Sequence, residues 1–228
     1  MSGHTLPQAL STDDVDTAAS YLREYYGERF RLPDAVPPRY SGAYFDGFDP
    51  SGQLSSSPNI ITADDLLSLS LLSTPINGSS AVQLLFDHRS TIQNYLETIP
   101  TDRTLADYSE PLSSENFAAW RLENFLTSTI PGVGWTRASK LIARKRPLLY
   151  PIYDSVVSQV LGTVKGGHLN FIRESMNRPE ISNRIDVLRQ ETQLSDIVPD
   201  LRIFDVVAWM EGRARKLPSE NLEAVSDE

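Results

Sequence analysis

Apolar positions along the chain recur at helical spacing in nearly every segment, and clear alternating strand patterns are missing. The first helix is expected from about residue 11, where Ser11 with Asp14 fits a capping box. Its apolar face is Val15, Ala18, Ala19, Leu22 and Tyr26. Five prolines and repeated glycines follow between 31 and 58, which reads as an ordered loop with aromatic anchors such as Tyr44 and Phe45. Thr62, with Asp65 at the capping-box position, opens a leucine-rich helix that is apolar almost all round and therefore expected to be central and buried. Pro75 and the Asn77-Gly78 pair end it. Further helices are expected over 79–87, 90–99, 114–129 and 135–146. Asp154 opens another that ends near Gly162, and three more follow over 168–177, 181–192 and 201–213.

This pattern predicts an all-α fold. Residues 1–61 form an N-terminal helix and loop that pack on a second layer, and 62–149 a central helical domain. Residues 150–214 form a second helical domain, with a cleft between the two layers, and 215–228 an acidic, disordered tail. With 228 residues the chain is well above the ~80 below which a core needs staples.

Composition narrows the chemistry. Cysteine is absent, which excludes disulfides, thiolate zinc sites, iron–sulfur clusters and cysteine nucleophiles. The three histidines are scattered, so neither a metal nor a cofactor is expected. The start of the chain lacks a basic and then apolar leader, and no apolar run approaches the ~18 residues of a membrane span. These features predict a cytoplasmic protein with no membrane partner. A net charge of −9 makes the chain as a whole a poor polyanion ligand, so a nucleic-acid role needs a local basic patch.

Residues 124–153 supply one. They contain no Asp or Glu, and they carry Arg137, Lys140, Arg144, Lys145 and Arg146, for +5 against −14 in the rest of the chain. Arg137, Lys140 and Arg144 are spaced 3 and 4 apart, which places them on one helix face. Just before this helix, Gly132 and Gly134 flank Val133. Two glycines allow a tight reversal with outward-pointing amides, and the helix that follows adds its own unpaired N-terminal amides. The arrangement suits a phosphate, with Val133 pinning the turn to the core. The plainer alternatives are a Gly-rich helix–helix turn and a solvated basic face. Asp154 likewise has two compatible readings, an N-cap and a carboxylate lining a cleft.

The 130–162 segment resembles the helix-hairpin-helix DNA glycosylases, with their PGVGxxxA pattern, a proline, and an aspartate opening the next helix. Pro131, Gly132, Val133, Gly134 and Ala138 match the hairpin, and Pro151 to Asp154 followed by Ser155-Val156 match the aspartate segment. DDLLSLSLLST is similar, more loosely, to the second helix of that fold. In the bifunctional members a lysine nucleophile stands two residues after the hairpin. Here that position is Thr136, eighteen residues before Asp154, the spacing of the endonuclease III branch.

The resemblance implies DNA as partner, with Gly132, Val133, Gly134, Thr136, Arg137, Lys140 and Arg144 on the backbone. Asp154 would be the catalytic carboxylate of a monofunctional glycosylase acting on a flipped base. Trp135 and Tyr153 are candidate stacking groups, with Tyr44 and Phe45. A non-catalytic nucleic-acid or protein interaction module that retains the fold is the alternative. The whole chain also resembles an uncharacterised actinobacterial family with a domain-of-unknown-function label, through YFDGFDP, IPGVGWTRASKLIARKRP, YPIYDSVV and DVVAWM. That resemblance implies no chemistry.

Overall fold

Each run of 3–4 periodic apolar residues becomes a helix in the structure, a computed structural model that describes residues 3–12, 15–27 and 39–218. Among the described residues the protein is all-α, with no strand, and no helix is long and apolar enough to cross a membrane.

The N-terminal helix differs from the sequence expectation. Ser11 is the last residue of a four-residue helix, α1 (Gln8–Ser11), and its hydroxyl donates to Gln8 O. The longer helix α2 (Asp16–Tyr26) starts later, and it buries Ala18, Ala19, Leu22 and Tyr26 as expected. Asp14, the other half of the proposed capping box, lies outside the described residues, as do 28–38 of the loop and 219–228 of the tail. A distant acid holds the start of α1 instead: both Glu211 carboxylate oxygens accept, at 2.9 Å, from the amides of Gln8 and Ala9.

Helix α3 (Ala63–Leu71) begins with the predicted box, Thr62 and Asp65 capping each other's amides. Its burial is one-sided. Leu66 and Leu69 are buried, whereas Leu67 is 55% exposed. The reason is that α3 packs on one later helix and one short turn, so its outer face meets solvent. Asn77 caps α4 (Gly78–Val82), which runs through a π turn at 83–87 into α5 (Arg89–Glu97). Next come α6 (Ala118–Thr129) and α7 (Trp135–Lys145). After an extended link follow α8 (Ser155–Leu161), α9 (Gly167–Met176), α10 (Pro179–Thr192) and α11 (Asp200–Ala214).

Packing sorts these elements into two groups. In one, α6 lies against α5 and α7, and α7 against α3. In the other, α11 is the axis, with α1, α2, α8 and α10 around it. A one-turn 3₁₀ segment, Ser41–Tyr44, touches both α2 and α3, and Phe45 just after it is buried. One apolar cluster runs through both groups, so they share a core. The glycine at 212 permits α11 to approach α8 closely: a Cβ there would fall 2.3 Å from Val156 of α8.

Candidate functional site

The hairpin between α6 and α7 folds around its central valine. Val133 is 1% exposed, and its amide donates to Ile130 O at 3.0 Å. The two flanking glycines do different jobs. Gly132 has φ +77, and a Cβ there would fall 2.8 Å from Asn77 Nδ2 and 2.9 Å from Ser80 Oγ. Gly134 has ordinary backbone angles and open space around it, and it is the N-cap of α7. Both glycines are exposed, and no side chain caps the first turn of α7.

The basic residues of α7 do share a side, but that side faces inward. Arg137 is half-buried and donates to Pro75 O at 3.0 Å and Gly132 O at 3.1 Å. Lys140 is 3% exposed, and its ammonium donates to Leu72 O at 3.2 Å. Arg144 is 4% exposed and donates to Asp65 and to the carbonyls of Phe45, Asp46 and Phe48. Lys145 joins the same Asp65 at 3.0 Å, and Arg146 is ringed by the carbonyls of Pro58, Leu96 and Ile99. The expected solvent-facing basic patch is therefore replaced by internal donors. Buried loop carbonyls need partners, and a guanidinium supplies five N–H groups to them. Arg144 is thereby removed from any phosphate-contacting surface.

Asp154 is the N-cap of α8. One carboxylate oxygen accepts from the amides of Val156, at 2.9 Å, and Val157. The other lies 3.9 Å from Lys140 Nζ. The link that carries Asp154 is fastened to the first group of helices: the Tyr153 amide donates to Ser139 Oγ of α7, and Tyr150 OH to Glu123 of α6. Burial pushes the Glu123 carboxyl up to about 8, with the Tyr150 hydrogen bond opposing. Burial also pushes Lys140 down to about 8, against the pull of Asp154.

These residues surround one cleft of about 820 Å³. The hairpin residues Gly134, Trp135, Thr136 and Arg137 line it, with Lys140, Tyr153 and Asp154. Val133 and Arg144 lie in the interior, Gly132 sits on the outer surface, and Tyr44 and Phe45 stand outside the cleft lining.

The rest of the lining includes residues that sequence reasoning missed: Arg202, Asp205 and Trp209 of α11, with Tyr25 and Tyr40. Arg202 donates to Asp205 and, at 2.8 Å, to Tyr25 OH, and it pairs with Asp46 at 3.4 Å. Burial pushes Asp205 up to about 6. Arg202 opposes this, and the nearby Asp154 charge adds to it. A signal was present in LRIFDVVAWM, where Arg and Asp interrupt an otherwise apolar helix three residues apart. Charges at buried positions need partners, and such pairs mark candidate sites.

Among the described residues, no group of three or more His, Asp or Glu could hold a metal ion. The arrangement offers a half-buried carboxylate and a buried amine facing each other in an aromatic-walled cleft that adjoins an uncapped helix terminus.

A family model described as a family of unknown function, DUF6308, matches residues 18–212. No curated protein and no solved structure matches the chain.

Proposed function

The chain belongs to this family of unknown function, and from the cleft itself we propose a helix-hairpin-helix protein that binds DNA and hydrolyses the N-glycosidic bond of a flipped nucleotide. One observation carries the reading: Asp154 and the hairpin residues Gly134 to Thr136 line the same cleft. The exposed hairpin glycines and the uncapped first turn of α7 offer amides to a backbone phosphate. The base, turned out of the duplex, enters the cleft.

As the glycosidic bond breaks, the sugar gains oxocarbenium character, and the free oxygen of Asp154 stabilises that charge. Water adds to the anomeric carbon, and the base leaves with a proton. Thr136 cannot form a Schiff base and the Lys140 ammonium is engaged by Leu72 O and Asp154, so the reaction is hydrolysis without strand scission. With Lys140 and Arg144 internal, phosphate contact at the hairpin falls to the amides and Arg137, and the hairpin contributes about −1 to the slope of log K against log salt.

A second reading, a binding module without catalysis, draws on the fact that Asp154 already caps α8 and faces Lys140. Gel-shift and base-release assays on single- and double-stranded DNA carrying varied lesions separate the two. Free base from any substrate supports the enzyme, and salt-sensitive binding without base release supports the module.

A further inference from the structure

The cleft carries more positive charge than the chain around it. Among the described residues, five cations line it against two carboxylates, Asp154 and Asp205, in a protein of net charge −9. Two of the five are exposed at its rim, and each stands beside a tryptophan of the lining. Lys165 Nζ lies 3.4 Å from the ring centre of Trp135, and the Arg213 guanidinium 5.6 Å from that of Trp209.

Both tryptophans are held firmly. Trp120 packs against Trp135 with ring centres 5.3 Å apart. Gly166, at φ +80, brings the loop so close to Trp120 that a Cβ would fall 3.1 Å from it, and this sets Lys165 over Trp135. Trp209 meets Tyr25 and Tyr40 edge to face at 5.9 and 5.3 Å, and Arg202 fixes Tyr25 through its hydroxyl. A cation over an indole face is a prearranged partner for an anion, because the ring holds the charge in place without neutralising it. Flat aromatic walls take a heterocyclic base by stacking. The cleft volume of about 820 Å³ is in the ~300–1,000 Å³ range of small-ligand sites.

We infer that the cleft is a subsite for a nucleoside monophosphate unit, the phosphate held at the rim by Lys165 and Arg213 and the base against the Trp209 wall. This rests on the proposed reading for the ligand's place, and it adds the phosphate handle and the residues that grip it. The nucleotide comes free or as one unit of a strand.

The test is titration of the full chain with adenosine 5′-monophosphate and with adenosine, followed by tryptophan fluorescence. The nucleotide binds roughly tenfold more tightly than the nucleoside, as expected for a charge-assisted contact. Lys165→Ala and Arg213→Ala each erase several-fold of that difference, weakening the nucleotide more than adenosine. Equal affinities, absence of binding by both, or equal weakening of both ligands by the two variants overturns the inference. A single-stranded oligonucleotide identifies the source. Tighter binding than the mononucleotide, lost in the same two variants, indicates a strand, and weaker binding indicates the free nucleotide. Nucleotide binding without base release from DNA leaves the subsite standing and removes the catalytic reading. Base release with no mononucleotide or oligonucleotide discrimination in the variants does the reverse.

Discussion

The ammonium of Lys140 and the carboxylate of Asp154 face each other at 3.9 Å, one on the buried side of α7 and the other at the first turn of α8. The pair joins the two helical groups in the lining of the cleft. It also makes a prediction about Lys140, which burial pushes down to about 8 while Asp154 pulls it upward. In protein with ¹³C-labelled lysine ε-carbons, one signal, absent in Lys140→Met, titrates near 8. In Asp154→Asn it titrates lower still, because the opposing charge is gone. The unfolded chain binds this proton more readily between the folded value and 10.5, so stability from this group rises with pH across that window and is lowest below it. A Lys140 signal titrating at the ordinary lysine value contradicts the buried pair.

Asp65 is the clearest stability determinant. It is 1% exposed, caps α3, and receives both Arg144 and Lys145. Asp65→Ala strands two buried cations and costs about 3–5 kcal/mol in urea unfolding. Asp64→Ala removes a partner of the Ser51 amide near the surface and costs below about 1 kcal/mol. Similar losses in the two variants rule out the buried network.

The hairpin glycines separate in the same kind of assay. Gly132→Ala destabilises by about 1–2 kcal/mol, because φ +77 disfavours any side chain and Asn77 and Ser80 crowd the new methyl. Gly134→Ala costs less, about 0.5–1 kcal/mol for a poorer N-cap, since its angles are ordinary and its surroundings open. The reverse order contradicts this account of the turn.

His168 gives an acid-side signature. It is 2% exposed, neither ring nitrogen has a hydrogen-bond partner among the described residues, and burial pushes it down to about 4. Between the ordinary value of 6.5 and this value, the unfolded chain takes up a proton that the folded chain refuses. The group therefore lowers stability as pH falls through that window, by about 3 kcal/mol at pH 4. The buried acids Glu123 and Asp205 act in the opposite sense, since burial pushes both upward. The informative quantity is thus the stability of wild type minus that of His168→Leu, which drops by that amount between pH 7 and pH 4. A constant difference excludes a buried neutral imidazole.

Helix positions were legible because local rules set them. The Thr62–Asp65 box, the Asp154 cap and Gly162, left-handed at the end of α8, each act within a few residues of their own chain position. The N-terminal start differs because Ser11 closes α1 instead of opening the longer helix, and the carboxylate that holds α1 comes from Glu211, two hundred residues away. The fate of the cations was illegible for the same reason. Spacing places Arg137, Lys140 and Arg144 on one side of a helix, but only the fold shows whether that side meets water or the carbonyls of 45, 46 and 72. Half of the cleft was legible through the hairpin and Asp154. The α11 wall was missed because Arg202 and Asp205 form their site with Tyr25 and Asp46, far off in sequence.

The central claim is that the negative charge of Asp154, and not its capping role, serves the function. Asn caps a helix nearly as well as Asp, so Asp154→Asn keeps the fold, with a loss of about 1 kcal/mol from the missing charge partner of Lys140. The most direct measurement is the rate of free-base release from the best lesion-bearing DNA, compared between wild type and Asp154→Asn at matched, fully folded concentrations. The account predicts a loss of at least about a hundredfold in the variant, the scale of removing one transition-state charge partner. Equal rates in the two proteins, or no base release by the wild type from any lesion, contradict it.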